Sequence, residues 1–359
     1  MPDSSASSRV TQRSAAPEEI GGGARRARTS STGPRGARAY AARTETQALA
    51  LEQAPIGRGR SGRGGRSGGA GSLGGPRWLP FVYLLPAFAI YGLFMLYPIG
   101  RSVQLSLYNW DGLSLATFVG LDNYIDVFRD ERLRAAFGHA LVLIFFFAIL
   151  PVCIGLVLAA VLTRAKVRGL AVFRTLVFLP QVIAMVVVAI AWKQIYAPDG
   201  TLNTLLSVIG LGDLTRAWLG DYTFALPAVG LIGTWVSTGL VTVLLLAGMA
   251  RIPKEQFEAA RLDGAGPVRE FFSLIVPAVR AEITVALTLT IIASLKTFDL
   301  VYVTTSGGPG SSTTVPSYEV YKRAFIDGQI GSAAAVGITL TVVIFLINLV
   351  VNRIGEREK

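Results

Sequence analysis

Six strongly apolar stretches follow one another from residue 78 onward, separated by polar segments. Each stretch is close to the ~20 residues that a helix needs to cross the hydrocarbon core of a bilayer. The pattern therefore predicts an all-α membrane protein with six transmembrane helices, over Leu79–Ile99, Ala140–Leu162, Leu176–Ile195, Leu226–Met249, Ile283–Val303 and Ala333–Val351.

The polar segment between the fourth and fifth stretches, residues 252–282, predicts two short helices joined by a turn. Pro253 and Pro267 suit the first turns of helices, and Gly264 and Gly266 can adopt the left-handed conformation that ends a helix. A helix-turn-helix between two membrane spans is well placed to dock a soluble partner. A further short amphipathic helix is predicted over Val119–Phe128, between the first two spans.

Basic residues in the short loops predict the orientation of the helices, because they concentrate on the cytoplasmic side. They cluster after the second span, after the fourth span and at the C-terminus, whereas the other loops carry more aspartates. Both termini and residues 252–282 are therefore predicted to be cytoplasmic. The first loop on the other side is mixed, since acidic and basic residues lie together there: Arg129, Asp130, Glu131, Arg132 and Arg134.

Composition agrees with a membrane protein, since 52% of the 359 residues are hydrophobic and only 16% are charged. The formal net charge of +11 comes mainly from residues 1–77, which hold 13 arginines against 5 acidic residues. This Gly/Ser/Arg-rich segment predicts a disordered cytoplasmic tail attracted to anionic lipid. Arginine–glycine runs also occur in RNA-binding tails, but no aromatic residue interleaves this one, which disfavours nucleic acid as a partner. The predicted domains are the tail 1–77, the membrane domain 78–352 and a short C-terminus, 353–359.

The chain has one cysteine, Cys153, and one histidine, His139. This excludes an intrachain disulfide and makes a zinc site or a histidine-based catalytic triad a poor interpretation, so we predict no metal site, no catalytic residue and no enzyme activity. No G-x-x-x-x-G-K-[ST] phosphate loop occurs. If transport is driven by ATP, the nucleotide site must lie on another chain; the alternative energy source is an ion gradient.

Polar residues inside the fourth and fifth spans are candidates for a translocation path, because ionisable groups at membrane depth usually face a cavity or each other. Hydroxyl groups, charges and an aromatic face suit a polyhydroxylated solute. For the charged pair the structural alternative is an ion pair at i, i+3 spacing, and for the tryptophan it is ordinary packing. The candidates are Thr234, Trp235, Ser237, Thr238, Ser294, Lys296, Thr297 and Asp299.

Segment 252–282 contains Glu258-Ala259-Ala260, Asp263-Gly264-Ala265 and Val276-Pro277, and this order resembles the EAA loop of the permease subunits of bacterial ATP-binding-cassette (ABC) importers. The resemblance covers nearly all of residues 79–352. LYNWDG, VGLDNY and FDLVYVTTSGGPGSSTT are similar to the outer loops of sugar permeases of the maltose-transporter type. Leu274, Val276 and Glu282 depart from the loop pattern, and the long N-terminal extension has no counterpart in the family.

The resemblance implies that the first loop helix inserts into an ATPase subunit, as a coupling helix, through Phe257, Glu258, Ala259, Ala260, Asp263 and Gly264. The alternative is an amphipathic helix lying on the bilayer. The implied partners are a second permease subunit, two ATPase subunits that hold the ATP and Mg²⁺, an extracytoplasmic solute-binding protein, and membrane lipid. No cofactor is expected in this chain itself.

The resemblance further implies ATP-driven import of a mono- or oligosaccharide by alternating access, in a bacterial plasma membrane. Glycerol phosphate or another polyol remains an alternative substrate, because loop motifs report coupling rather than substrate. A secondary transporter coupled to protons or sodium through Lys296 and Asp299 is a second hypothesis. A membrane-anchored RNA-binding protein acting through its tail is a third. Neither of these last two explains the EAA-type loop.

Overall fold

The computed structural model describes residues 79–164 and 169–356, and the predicted tail 1–77 lies outside these ranges. Within them the chain is mostly helical, which confirms the predicted all-α fold class. In chain order the helices are α1 (Leu79–Tyr91), α2 (Tyr97–Leu105), α3 (Asp122–Arg129), α4 (Glu131–Ile144), α5 (Leu150–Arg164), α6 (Leu170–Val182), α7 (Met185–Ile195), α8 (Thr201–Val208), α9 (Ala225–Met249), α10 (Lys254–Leu262), α11 (Pro267–Glu270), α12 (Val276–Ala278), α13 (Arg280–Leu295), α14 (Asp299–Thr304), α15 (Pro316–Phe325) and α16 (Ile330–Glu356).

Four helical segments in the described ranges are long and apolar enough to cross a membrane: Phe81–Leu105, Glu131–Thr163, Ala225–Met249 and Ile330–Gly355. The first joins α1 to α2 through a π-helical turn, Gly92–Leu96, and the second joins α4 to α5 through another, Phe145–Ile149. These four segments match the first, second, fourth and sixth predicted spans, although each is longer at one or both ends.

The third and fifth predicted spans are not straight helices. The third is divided into α6 and α7, which meet at 97°, because Ile183 and Ala184 adopt extended backbone. The fifth ends as α13 at Leu295, well before the predicted Val303, and α13 itself meets the preceding segment Pro267–Ala278 at 71°. The number of spanning units is therefore four, or up to six if each bent pair forms one span.

Helix α9 lies at the centre of the bundle and packs against α5 and α6. Its glycines allow close packing: a Cβ atom on Gly233 would lie 2.0 Å from the ring of Phe147, and one on Gly239 would lie 2.2 Å from the carbonyl oxygen of Val177. In contrast, α1 is exposed along its described side chains, and in the first span it is α2 that packs against α16.

A two-stranded hairpin, β1 (Tyr108–Asn109) and β2 (Thr117–Phe118), follows α2. Its turn is held by Asp111, whose Oδ1 accepts hydrogen bonds from the backbone nitrogens of Leu113 and Ser114. Helix α3 then forms at the position of the predicted amphipathic helix. The end of the bundle with the hairpin, α3 and α15 is called the distal end below, and the end with residues 252–282 the loop end.

Candidate functional site

A cleft of about 230 Å³ lies where three of the apolar segments are interrupted. It is bordered by the π-helical turn between α4 and α5, by the break between α6 and α7, and by the break between α13 and α14. Non-helical backbone at membrane depth is tolerated where it is buried in protein or lines a cavity. The residues around the cleft are Phe147, Gln181, Met185, Val236, Ser237, Ala293, Lys296, Thr297, Phe298 and Asp299.

Four of the eight predicted path residues line this cleft: Ser237 from α9, and Lys296, Thr297 and Asp299 from the break after α13. The break explains why these last three can reach one space. Residues 296–298 lie outside any helix, and Asp299 begins α14.

The other four predicted path residues do not line the cleft. The hydroxyl of Thr234 donates to the carbonyl oxygen of Phe146 at 2.7 Å, and that of Thr238 donates to the carbonyl oxygen of Thr234 at 2.7 Å. Ser294 is fully buried. Trp235 is half-exposed and meets the ring of Trp192 edge-on, with 5.6 Å between centroids.

The expected structural alternative, an ion pair between Lys296 and Asp299 on one helix, is wrong. The helix ends between them, and neither residue forms an ion pair with any other part of the described chain. Both side chains are exposed at the cleft. The cleft therefore presents a separate cationic donor and an anionic acceptor, together with the hydroxyl groups of Ser237 and Thr297.

Sequence reasoning missed Gln181, Met185, Phe147 and Phe298 as cleft residues. Gln181 carried a usable signal, since it is a polar side chain directly after Pro180 within an apolar run. The apolar residues carried none, because a phenylalanine or methionine beside a cavity has the same local pattern as one in the core or facing lipid.

At the loop end, α10 and α11 form the predicted helix-turn-helix. Gly264 has the left-handed φ of +78°, and the backbone nitrogen of Ala265 donates to the carbonyl oxygen of Ala260 at 2.9 Å, which closes the C-terminus of α10. Gly266 does not share the predicted left-handed conformation: its φ is −73°, and it precedes Pro267 as the N-cap of α11.

The predicted coupling residues do not share one surface. Glu258, Ala259, Asp263 and Gly264 are exposed, and Ala260 is half-buried. Phe257 packs against the apolar core beneath the loop. The outward apolar side chain of α10 is instead Leu262, which is 89% exposed and lies one turn after Glu258.

Charged contacts fix the loop to the bundle. Arg251, after α9, contacts Glu282 in the first turn of α13 with 3.3 Å between Nη1 and Oε1. Gly248 leaves room for this carboxylate, since a Cβ atom there would lie 2.7 Å from Cδ of Glu282. The departure at Glu282 from the loop pattern therefore ties together the two ends of residues 252–282. Within the loop, Arg261 lies 3.8 Å from buried Glu270.

The mixed charges at the distal end form a network between the start of α4 and α15. Glu319 is only 2% exposed, and its Oε1 accepts a hydrogen bond from Arg132 Nε at 2.7 Å. Arg323 contacts Asp130 at 2.5 Å and Glu319 at 3.8 Å. Of the basic residues that make the first distal loop mixed in charge, Arg132 is paired in this network, with Glu319 of α15.

Residues 152–359 match the family model described as a binding-protein-dependent transport system inner membrane component. The match includes the cleft residues from Gln181 onward and the whole of residues 252–282. The chain belongs to this family of ABC transporter permeases. It is a membrane-embedded transport subunit, and its family is not itself catalytic.

The permease is 38% identical over 274 residues to the probable ABC transporter permease protein YurN of Bacillus subtilis, covering 76% of this chain and 94% of that protein. It is 33% identical over 290 residues to the diacetylchitobiose uptake system permease protein NgcF of Streptomyces coelicolor, covering 75% and 82%. Its fold resembles a crystal structure of a bacterial alginate ABC transporter in complex with an alginate pentasaccharide-bound periplasmic protein, with TM-score 0.66, 24% identity, and coverage of 78% and 94%.

Proposed function

We propose that the permease translocates a carbohydrate by alternating access, driven by ATP hydrolysis on partner subunits. The observation that carries this proposal is the polar cleft at the three helix interruptions. Sites between interrupted helices are typical of transporters, because unwound backbone and helix ends can contact a solute while the flanking segments move. The cleft would be open alternately toward the distal end and toward the loop end.

A carbohydrate suits the chemistry of this cleft. Its apolar ring faces would lie against Phe147 and Phe298, and its hydroxyl groups would bond to Ser237, Thr297 and Gln181. Two similar proteins are named for the transport of diacetylchitobiose and of alginate, which are also saccharides. We therefore favour a saccharide over the other solute classes that a loop of this type can serve.

The loop would couple this cleft to an ATPase. Glu258 and Leu262 are exposed one turn apart on α10, so they offer a carboxylate and an apolar side chain to a cleft in a partner. Arg251 and Glu282 connect the loop to α9 and α13. Because α9 and α13 both contribute to the cleft, displacement of the loop would be transmitted to it.

The proposed complex contains this permease, a second permease subunit, two ATPase subunits that bind the ATP and Mg²⁺, and an extracytoplasmic solute-binding protein. The family description and the alginate transporter complex support the solute-binding protein. The small cleft, open beside Lys296 and Asp299, supports a second subunit that would complete the site. We place the loop end and both termini on the cytoplasmic side, with membrane lipid around the apolar segments.

The coupling step is tested by Glu258→Lys in the complete complex, reconstituted in proteoliposomes with the solute-binding protein. We expect ATP-driven uptake and solute-stimulated ATP hydrolysis to fall at least about tenfold, because reversal of the charge removes about 1.4 kcal/mol or more of docking free energy. Membrane insertion should be unchanged. The matched control is Glu255→Lys, an equally exposed carboxylate at the start of the same helix. Normal transport by Glu258→Lys would refute the coupling role.

A glycerol phosphate or another anionic polyol is a second candidate substrate, favoured by one observation. Lys296 is exposed at the cleft and forms no ion pair with the described residues, so it could bind a phosphate group. Lys296→Gln in the same proteoliposomes separates the candidates. Suppose that the unaltered complex takes up glycerol 3-phosphate but no neutral saccharide, and that Lys296→Gln abolishes this uptake. Glycerol phosphate would then replace a saccharide as the assigned substrate.

A further inference from the structure

Five aromatic rings form a continuous strip from the cleft toward the distal end. We call Phe298, Tyr302, Tyr318, Tyr321 and Phe325 the aromatic strip. Phe298 lies on the wall of the cleft, next to Lys296 and Asp299. Tyr318, Tyr321 and Phe325 follow one another on one face of α15, at spacings of three and four residues.

Each ring of the strip contacts the next one in space. Phe298 stacks on Tyr302 with 5.2 Å between centroids and an interplanar angle of 15°. Tyr321 lies 5.2 Å from Phe298 and 5.3 Å from Tyr302, and Phe325 lies 5.5 Å from Tyr321. The path along the rings therefore begins in the cleft and ends at the last residue of α15.

The strip joins buried rings to rings that are exposed. Phe325 is 80% exposed and Tyr302 is 41% exposed, although both contact other rings of the strip. A second aromatic group in the same protein, around Trp192 and Trp218, places Tyr196 between them at 5% exposure and belongs to the core. Tyr318 of the strip, at 8% exposure, belongs to the same core, so the ring surface left for a ligand lies on Tyr302 and Phe325.

The chemistry of the strip matches a chain of sugar rings. A sugar ring has apolar C–H faces and a polar edge, and tyrosine offers an apolar face together with a hydroxyl group. Several aromatic rings in a row can contact several successive sugar rings, while the cleft of about 230 Å³ has room only for the end of such a chain.

We propose that the aromatic strip is an extended binding subsite for an oligosaccharide, which leads its successive rings into the cleft. This inference rests on the proposed function and extends its substrates to saccharides longer than the cleft alone can hold. Short saccharides would use the cleft without contacting Phe325. Long ones would contact the strip as far as the distal surface.

The test measures uptake of malto-, cello- and chito-oligosaccharides, from the disaccharide upward, by the complete complex in proteoliposomes. Phe325→Ala is the first variant, because truncation of a side chain that is 80% exposed leaves the fold intact. Tyr302→Ala is the second, and Tyr302→Phe keeps the ring. Phe118→Ala is the matched control, a 68% exposed aromatic in β2 outside the strip.

We expect Phe325→Ala and Tyr302→Ala to reduce the uptake rate of the longer saccharides about fivefold to tenfold relative to the disaccharide. Phe118→Ala should leave that ratio unchanged, and Tyr302→Phe, which keeps the ring but removes the hydroxyl group, should reduce it less than Tyr302→Ala does. An equal loss at every length, as expected if the strip only packs against lipid or a second subunit, would overturn the proposal, and so would no loss at any length. If the unaltered complex takes up no member of the three series, the carbohydrate function itself fails.

Discussion

Gly264 and Gly266 show how one residue position can determine the shape of the loop. Both have open space where a Cβ atom would be, but only Gly264 has a left-handed φ, +78° against −73°. An L-residue with a side chain is disfavoured in that conformation by about 1–2 kcal/mol. The requirement for glycine at Gly264 is therefore a backbone requirement and not a steric one.

We expect Gly264→Ala to reduce solute-stimulated ATP hydrolysis of the reconstituted complex about tenfold, because the turn that presents α10 would be strained. Gly266→Ala, two residues away with ordinary φ, should keep activity within about twofold. The comparison uses the ratio of ATP hydrolysis with and without the loaded solute-binding protein. Equal activity of the two alanine variants would show that coupling does not depend on this turn.

Asp111 gives a pH dependence to the hairpin turn at the distal end. Hydrogen bonds from the backbone nitrogens of Ser114 and Leu113, and from the Ser114 hydroxyl, lower the pKa of its carboxyl to about 2. The folded pKa is below the unfolded value, so the carboxylate stabilises the turn fully above about pH 4, and that stabilisation is lost as pH falls toward 2. Its stabilising effect is absent once the carboxyl is protonated.

The indole of Trp110 reports on this turn, since its Nε1 donates to the carbonyl oxygen of Ser114 at 2.9 Å. We expect Trp110 fluorescence to change as pH falls through about 2, and not near pH 4. In Asp111→Asn, the side chain cannot titrate, and this change should be absent. A transition centred near the ordinary aspartate pKa would mean that the hydrogen bonds do not form in solution.

At the scale of elements, the distal network connects α4 to α15 through a buried carboxylate. Glu319 has a 3% exposed side chain, between Arg132 and Arg323. Glu319→Gln keeps the shape but leaves both guanidinium groups without this anionic partner, so we expect the free energy of unfolding to fall by about 3 kcal/mol.

Denaturant unfolding of the purified permease in detergent would measure this change. Glu131→Gln is the control: Glu131 is exposed in the first turn of α4, and its substitution should cost under about 0.5 kcal/mol. A similar, small effect of both substitutions would show that the network contributes little to holding α15 against α4.

The lengths of the apolar runs predicted where the helices lie but not where they break. The runs Leu176–Ile195 and Ile283–Val303 have spanning length, yet one bends by 97° and the other ends as a helix at Leu295. A hydropathy average cannot register such breaks, since the local residues remain apolar and the freed backbone is accommodated by the surrounding protein. Ser237, Lys296, Thr297 and Asp299 were predictable as polar residues in apolar runs, whereas Phe147 and Phe298 join the cleft only through tertiary structure.

For the whole molecule, burial is very unequal among the spanning segments. Of the most apolar 18-residue stretch within Ala225–Met249, 67% is buried, while none of the corresponding stretch within Phe81–Leu105 is. Helix α9 is therefore the packed axis of the described part of this subunit, whereas α1 is exposed in it. Helices α9 and α13 join the loop end to the cleft, so we expect a movement of the loop to reach the cleft.

This arrangement predicts the energy source. An ion-coupled carrier would need Lys296 and Asp299 to act as a pair, but a helix break separates them and within residues 79–164 and 169–356 they form no ion pair. We expect uptake by the reconstituted complex to persist when a protonophore or sodium ionophore collapses the ion gradients, and to stop when the ATPase subunits are inactivated. Asp299→Asn should then change the rate of saccharide uptake while dependence on ATP remains. Uptake that ended with the ionophore and survived loss of the ATPase would instead make Lys296 and Asp299 the coupling groups of a secondary transporter.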